Sequence, residues 1–169
     1  MKKQKGFSLI ELLIVVAIIL IIAAIAIPNL LRSKIAANES SAVGSIRTIG
    51  TAEVTYSSSW GTGYAFDLGS LGGASPCTAT ATSACLIDPL LSVAPFTKSG
   101  YVFNAAGTLL VGTVYNGFEA TATPSVVGTT GQRSFCDDQV GVIKQDTTGK
   151  AFGLGDNACG NSTMTPVGN

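Results

Sequence analysis

The chain has 169 residues, 46% hydrophobic and only 12% charged, with ten basic and ten acidic side chains in balance. That length holds one ordinary domain plus an extra element, and that composition places part of the chain outside water. Six of the ten basic residues (Lys2, Lys3, Lys5, Arg32, Lys34 and Arg47) fall in the first fifty positions; Lys98, Arg133, Lys144 and Lys150 are too scattered to read nucleic acid, so no direct nucleic-acid site is expected.

The first element is a short basic stretch, Met1 to Gly6, followed by an apolar run from Phe7 to Ile27. The lysines should stay cytoplasmic while the run enters the membrane. As helix, its twenty-one residues span about 32 Å, close to a bilayer's hydrocarbon core. An ordinary secretory signal is the rival reading, with Ala24-Ile25-Ala26 as its small-residue cleavage site. Glu11 argues against it, because a plain signal gains nothing from a carboxylate in its apolar stretch.

Gly6 followed by Phe7-Ser8-Leu9-Ile10-Glu11-Leu12-Leu13, with lysines before and a long apolar helix after, resembles the prepilin leader of type IV pilins and of type II secretion pseudopilins. The resemblance is specific over the leader and about the first fifty residues, and only architectural beyond them. It implies an α+β type IV pilin fold, a long N-terminal α-helix with a protruding hydrophobic half packed on a small antiparallel β-sheet head. It also implies that a prepilin peptidase cuts between Gly6 and Phe7 and methylates the new amine of Phe7. Partners implied in the same way are membrane lipid before assembly, the inner-membrane assembly machinery with its ATPase, and further copies in a helical filament. On this reading residues 1–6 are the cleaved leader, 7–28 the transmembrane and filament-core helix, 29–58 an amphipathic helix half and 59–169 the head.

Removing Lys2, Lys3 and Lys5 leaves seven basic residues against ten acidic ones, a formal charge of minus three, and frees a positive amine at Phe7. That amine lies one helical turn from Glu11 within a chain, and the two groups can also meet between staggered copies. In the family the matching Glu is held to pair with a neighbour's terminal amine. The physics agrees, since an unpaired carboxylate among apolar helices costs several kcal/mol and the register that supplies a cation wins. The plainer alternative is a Glu that snorkels to the membrane surface or is protonated.

Pro28 removes one helix bond and clashes with the preceding turn, so a kink or a melted stretch is expected over 25–29. Helix then resumes. Ile35, Ala42, Ile46, Ile49 and Tyr56 form an amphipathic stripe, with Lys34, Asn38, Ser41, Ser45 and Thr48 opposite. A sheet from the same chain is the simplest cover for that stripe. The helix should finish near Ser57, where loop chemistry begins.

Residues 59–98 read as a connecting loop, with one apolar patch at Leu86–Leu91, and 99–169 as an antiparallel sheet with a disulfide-tied C-terminal region. Strands are expected at Gly100–Asn104, Leu109–Tyr115 and Phe118–Thr123, the last two joined by a hairpin at Asn116-Gly117. Arg133–Cys136 and Val140–Lys144 flank a second turn, Asp137-Asp138-Gln139, which makes about four strands.

Cys77, Cys85, Cys136 and Cys159 are even in number, and the chain has no His. Their wide spacing disfavours a four-cysteine zinc site and favours disulfides in an oxidising compartment. Three pairings are open; Cys77 with Cys85 and Cys136 with Cys159 are expected, the second tying the chain's end to a strand. Asp137 and Asp138 have a calcium precedent in major pseudopilins but read as solvated turn formers, so no metal or other cofactor is assigned. Asn38-Glu39-Ser40 and Asn161-Ser162-Thr163 match the glycosylation pattern, which chance often supplies. Without a histidine or a free thiol the parts for nucleophilic catalysis are missing, and the chain reads as the substrate of an enzyme rather than as one.

Three functions remain. The first is a subunit of an extracellular type IV pilus on the bacterial surface, held in the inner membrane before assembly and serving adhesion, twitching movement or DNA uptake. The second is a pseudopilin of a type II secretion system. The third is a secreted soluble binding domain behind an ordinary signal peptide.

Overall fold

A computed structural model of the chain describes residues 7–155, 158–161 and 164–168. Its first element, α1, runs Leu9–Trp60. No glycine interrupts residues 7–43, and the run is rich in Leu, Ile and Ala. Pro28 lies inside α1, which continues through it as helix. The expected melted stretch over 25–29 is therefore absent. The proline deprives only the Ala24 carbonyl of its donor, and the intact ladder on both sides carries the helix through. The end comes at Trp60, three residues beyond the expected Ser57.

Contacts divide the chain into two compact units, residues 1–34 and 35–169. Within the described part of the first, the apolar side chains stand open. Phe7 and Leu9 are each 79% exposed, and the isoleucines and leucines that follow are exposed up to Leu31. The most apolar 18-residue window of α1 has a mean hydropathy of 3.3 and none of it is buried, so length and composition suffice to cross a membrane.

In the second unit the α1 stripe is buried as expected at Ala42, Ile46, Ile49 and Tyr56, while Ile35 is half-buried. The side assigned to solvent departs from its reading at Ser45, which is buried. Asn38 donates to the Thr130 carbonyl at 2.8 Å and Ser41 shares a hydrogen bond with Ser99. Loops of the head thus cover part of the polar side.

The segment expected as plain loop contains two single-turn helices, α2 (Leu68–Leu71) and α3 (Pro89–Ser92). Each has an aspartate at its N-cap: Asp67 accepts from the Ser70 N–H and Asp88 from the Leu90 N–H, both at 2.8 Å. Asp88-Pro89 at the start of α3 is a helix-start signal, and the apolar patch beside it buries Ile87 and Leu91. Cys77 pairs with Cys85 across this region.

Six antiparallel strands follow as a meander in chain order: β1 (Thr97–Lys98), β2 (Tyr101–Val111), β3 (Val114–Pro124), β4 (Ser134–Asp138), β5 (Lys144–Asp146) and β6 (Thr165–Pro166). A short helix α4 (Ala158–Asn161) precedes β6. The expected four strands thus gain two short edge pairs. Two separate expected strands are one, because β2 runs on to Val111 and the hairpin turns at Gly112-Thr113, with Val111 opposite Val114. Gly112 has φ +65°, as the first central residue of a type II′ turn needs. Asn116-Gly117 instead lies inside β3. Gly117 is glycine for closeness, since a Cβ there would meet Thr108 Oγ1 at 2.7 Å.

Strand alternation sorts the sheet's faces. Phe103 and Ala105 of β2, Phe118, Ala120 and Ala122 of β3 and Phe135 of β4 share one core with the α1 stripe. The opposite face carries Glu119 and Thr121, which are also buried. The C-terminal region covers that face.

Candidate functional site: the N-terminal segment and the buried acids

Gly6 lies outside the described residues, so the site at the leader junction is described from Phe7 onward. Ser8 precedes the first helical residue, and its N–H donates to Glu11 Oε2 at 3.3 Å, while its carbonyl accepts the Leu12 N–H at 3.3 Å. This is one arm of a capping box, in which the third helical residue reaches back to the cap residue. The sequence carries this signal as Ser8-Leu9-Ile10-Glu11, where the apolar context makes the charge of Glu11 more conspicuous than its spacing from Ser8. Glu11 is exposed, so one of its oxygens caps its own helix and the other is open to another donor. Pro28 sits seventeen positions further along the same helix.

Among the described residues the second unit holds five buried acids, none of which the sequence singled out as buried: Glu39, Glu53, Glu119, Asp137 and Asp138. Glu39 on α1 takes the Gln132 and Arg133 N–H groups at 2.9 and 3.0 Å, and Arg133 Nη2 lies 2.7 Å from its Oε2. Burial pushes the Glu39 carboxyl up, but these donors and the guanidinium outweigh it and hold the group below its usual value. This clamp fastens α1 to the chain entering β4, and it leaves Asn38 bonded to protein in a half-buried setting that does not suit a glycan.

Glu53 is 0% exposed and accepts the Ala65 N–H at 2.8 Å, while its Oε1 has no hydrogen-bond partner among the described residues. Burial pushes its carboxyl up to about 7, the Ala65 bond pulling down and the nearby Asp67 charge adding to the rise. Glu119 faces the other side of the sheet. Its two oxygens accept the Gly155 N–H at 2.9 Å and the Cys159 N–H at 2.6 Å. Beside it Cys136 and Cys159 are bonded, their Cα atoms 6.0 Å apart. Carboxylate and disulfide thus hold the C-terminal segment at adjoining points.

Asp137 and Asp138 are not solvated turn residues. Both belong to β4 and are 4% and 2% exposed, because β4 pairs with β3 as far as Glu119 opposite Asp138. The turn begins after them. Asp138 accepts the Val140 N–H at 2.9 Å and lies 3.9 Å from Lys144 Nζ. Among the described residues no cluster of three or more acidic, Cys or His side chains could hold a metal ion.

Comparison with known proteins bears on the N-terminal segment. Residues 1–27 match the family described as the prokaryotic N-terminal methylation motif. Over 39 residues the chain is 62% identical to the type IV wide pilus major component PilA4 of Thermus thermophilus, covering 23% of this chain and 30% of that protein. Over its N-terminal segment the chain is similar to type IV pilins. It is also 45% identical over 54 residues to the type IV major pilin protein PilA of Myxococcus xanthus, covering 32% of this chain and 24% of that protein. The chain thus spans under a third of the length of these curated relatives. No solved structure matches it significantly. The long helix α1 and the antiparallel sheet agree with the pilin α+β fold.

Proposed function

We propose that the chain is a structural subunit of a type IV pilus. A prepilin peptidase cuts it between Gly6 and Phe7 and methylates the Phe7 amine. Subunits then leave the inner membrane with the help of the assembly machinery and its ATPase, and polymerise through residues 7–28 of α1 into an extracellular filament that serves adhesion, twitching or DNA uptake. The observation that carries this reading is the run of apolar side chains exposed from Phe7 to Leu31, together with the methylation motif over residues 1–27. Such a surface is stable only in lipid or against other apolar helices, and a filament core supplies the second.

Glu11 sets the register. Its cap to Ser8 engages one carboxylate oxygen, and the amine created at a neighbour's Phe7 answers the other. In a water-free core an unanswered carboxylate costs several kcal/mol, so only the stagger that pairs the two is populated. A pseudopilin would use the same segment in the same way; the two relatives, a wide pilus major component and a type IV major pilin, favour the pilus. The test is electron microscopy of filaments sheared from cells, followed by peptide identification. Filaments built from this chain are expected. A chain found only in the periplasm or as a short secretion-linked assembly would favour the pseudopilin.

A further inference from the structure

A cavity of about 670 Å³ opens between the Arg47–Thr55 stretch of α1 and the loop after β4. Val54, Phe118, Val142 and Val167 give it apolar walls, and its size falls in the range of small-molecule sites. Three charged residues also line it, Arg47, Asp137 and Asp138. Arg47 is exposed and makes no ion pair among the described residues. Asp137 is 4% exposed, and its Oδ1 has no hydrogen-bond partner among the described residues.

The sheet register explains where the carboxyl lies. Asp137 stands opposite Ala120, a core residue on the face toward α1. A Cβ added at Gly50, which also lines the cavity, would meet Asp137 Oδ2 at 2.8 Å. The carboxyl therefore sits at the cavity floor against the helix backbone. Asp138 and Lys144 partly answer each other nearby at 3.9 Å. Asp137 and Arg47 do not, although they share one cavity.

We infer that this cavity binds a small apolar zwitterion, a free hydrophobic amino acid or dipeptide, with its ammonium toward Asp137 and its carboxylate toward Arg47. The charges select this class. An apolar anion would meet Arg47 but face Asp137 and Asp138, and an apolar cation would meet Asp137 but face Arg47, Asp138 being already answered by Lys144. A zwitterion answers Arg47 and the open Asp137 Oδ1 and fills the apolar walls with its side chain. The competing arrangement is Arg47 folding inward onto Asp137, which closes the site from within.

The test is calorimetry on the full-length chain in nonionic detergent. Titrants are L-phenylalanine and L-leucyl-L-leucine, with phenethylamine and 3-phenylpropionate as singly charged controls. At least one zwitterion should bind saturably, about tenfold or more tighter than either control. Arg47→Gln changes an exposed side chain and should weaken zwitterion binding about tenfold; Asp137→Asn should do the same. No saturable binding of either zwitterion up to tens of millimolar would overturn the assignment, as would controls that bind equally well or an Arg47→Gln chain that binds unchanged.

Discussion

One helix, α1, serves two surroundings. Along residues 7–34 it exposes nearly every apolar side chain, whereas along 35–60 it buries a stripe of Ala42, Ile46, Ile49 and Tyr56 against the sheet. Their acids differ in the same way. Glu11 is exposed and engaged through one oxygen to its own cap, while Glu39 and Glu53 are buried and bonded to the head. The lesson is that one half is finished within the chain and the other is unfinished. Its apolar surface and its carboxylate both call for something that a single chain does not contain.

Breaking the unfinished half should have the largest effect and leave the head untouched. Glu11→Ala should remain in the membrane and be processed, yet filament yield should fall by roughly tenfold or more, because the register loses its charge pair. Shearing and quantifying filaments checks this, and normal yield would refute the role given to Glu11. The finished half should respond in stability instead. Replacing Cys136 and Cys159 by serine should lower the unfolding free energy by about 3 kcal/mol. Amide exchange at Gly155 and at position 159 should then rise only partly, because Glu119 still holds both N–H groups. Glu39→Ala should cost about 2 to 3 kcal/mol by stranding the Gln132 and Arg133 donors, read as a lower denaturation midpoint.

The buried acid Glu53 sharpens the comparison through pH. Its carboxyl rises from 4.5 to about 7 in the folded chain, so its stabilising share is fully present below about 4.5 and is lost as pH rises through about 7. Asp137, pushed by burial from 3.8 to about 6, acts in the same direction over a lower window. The chain should therefore be more stable near pH 4 than near pH 8, with Glu53 supplying on the order of 2 kcal/mol. Glu53→Gln should flatten the slope above pH 6 in denaturation series. The smallest effect belongs to the α2 cap: Asp67→Ala should lose about 1 kcal/mol and should also lower the Glu53 carboxyl slightly, since the Asp67 charge helps to raise it.

Much of this division could be read from residue order. The apolar run, the helical stripe and the aromatic strands follow from local periodicity, which a single sequence displays directly. What escaped it was non-local. The hairpin was placed at Asn116-Gly117 because that dipeptide is a strong turn signal, but pairing of Val111 with Val114 put the turn at Gly112, and cross-strand crowding by Thr108 accounts for Gly117. Asp137 and Asp138 looked like turn formers because adjacent acids usually need water. Burial of both came from β4 pairing past them with β3, a long-range contact with no local sign. Pro28 misled in the opposite sense, since one missing bond is small against a ladder of 52 residues.

The most direct test of the account is the N-terminal mass of the chain taken from sheared surface filaments. It predicts a mature protein that begins at N-methylated Phe7, carrying the amine that Glu11 of a neighbour requires. A mature chain that begins at Ile27, after Ala24-Ile25-Ala26, would have lost Glu11 altogether and would contradict it.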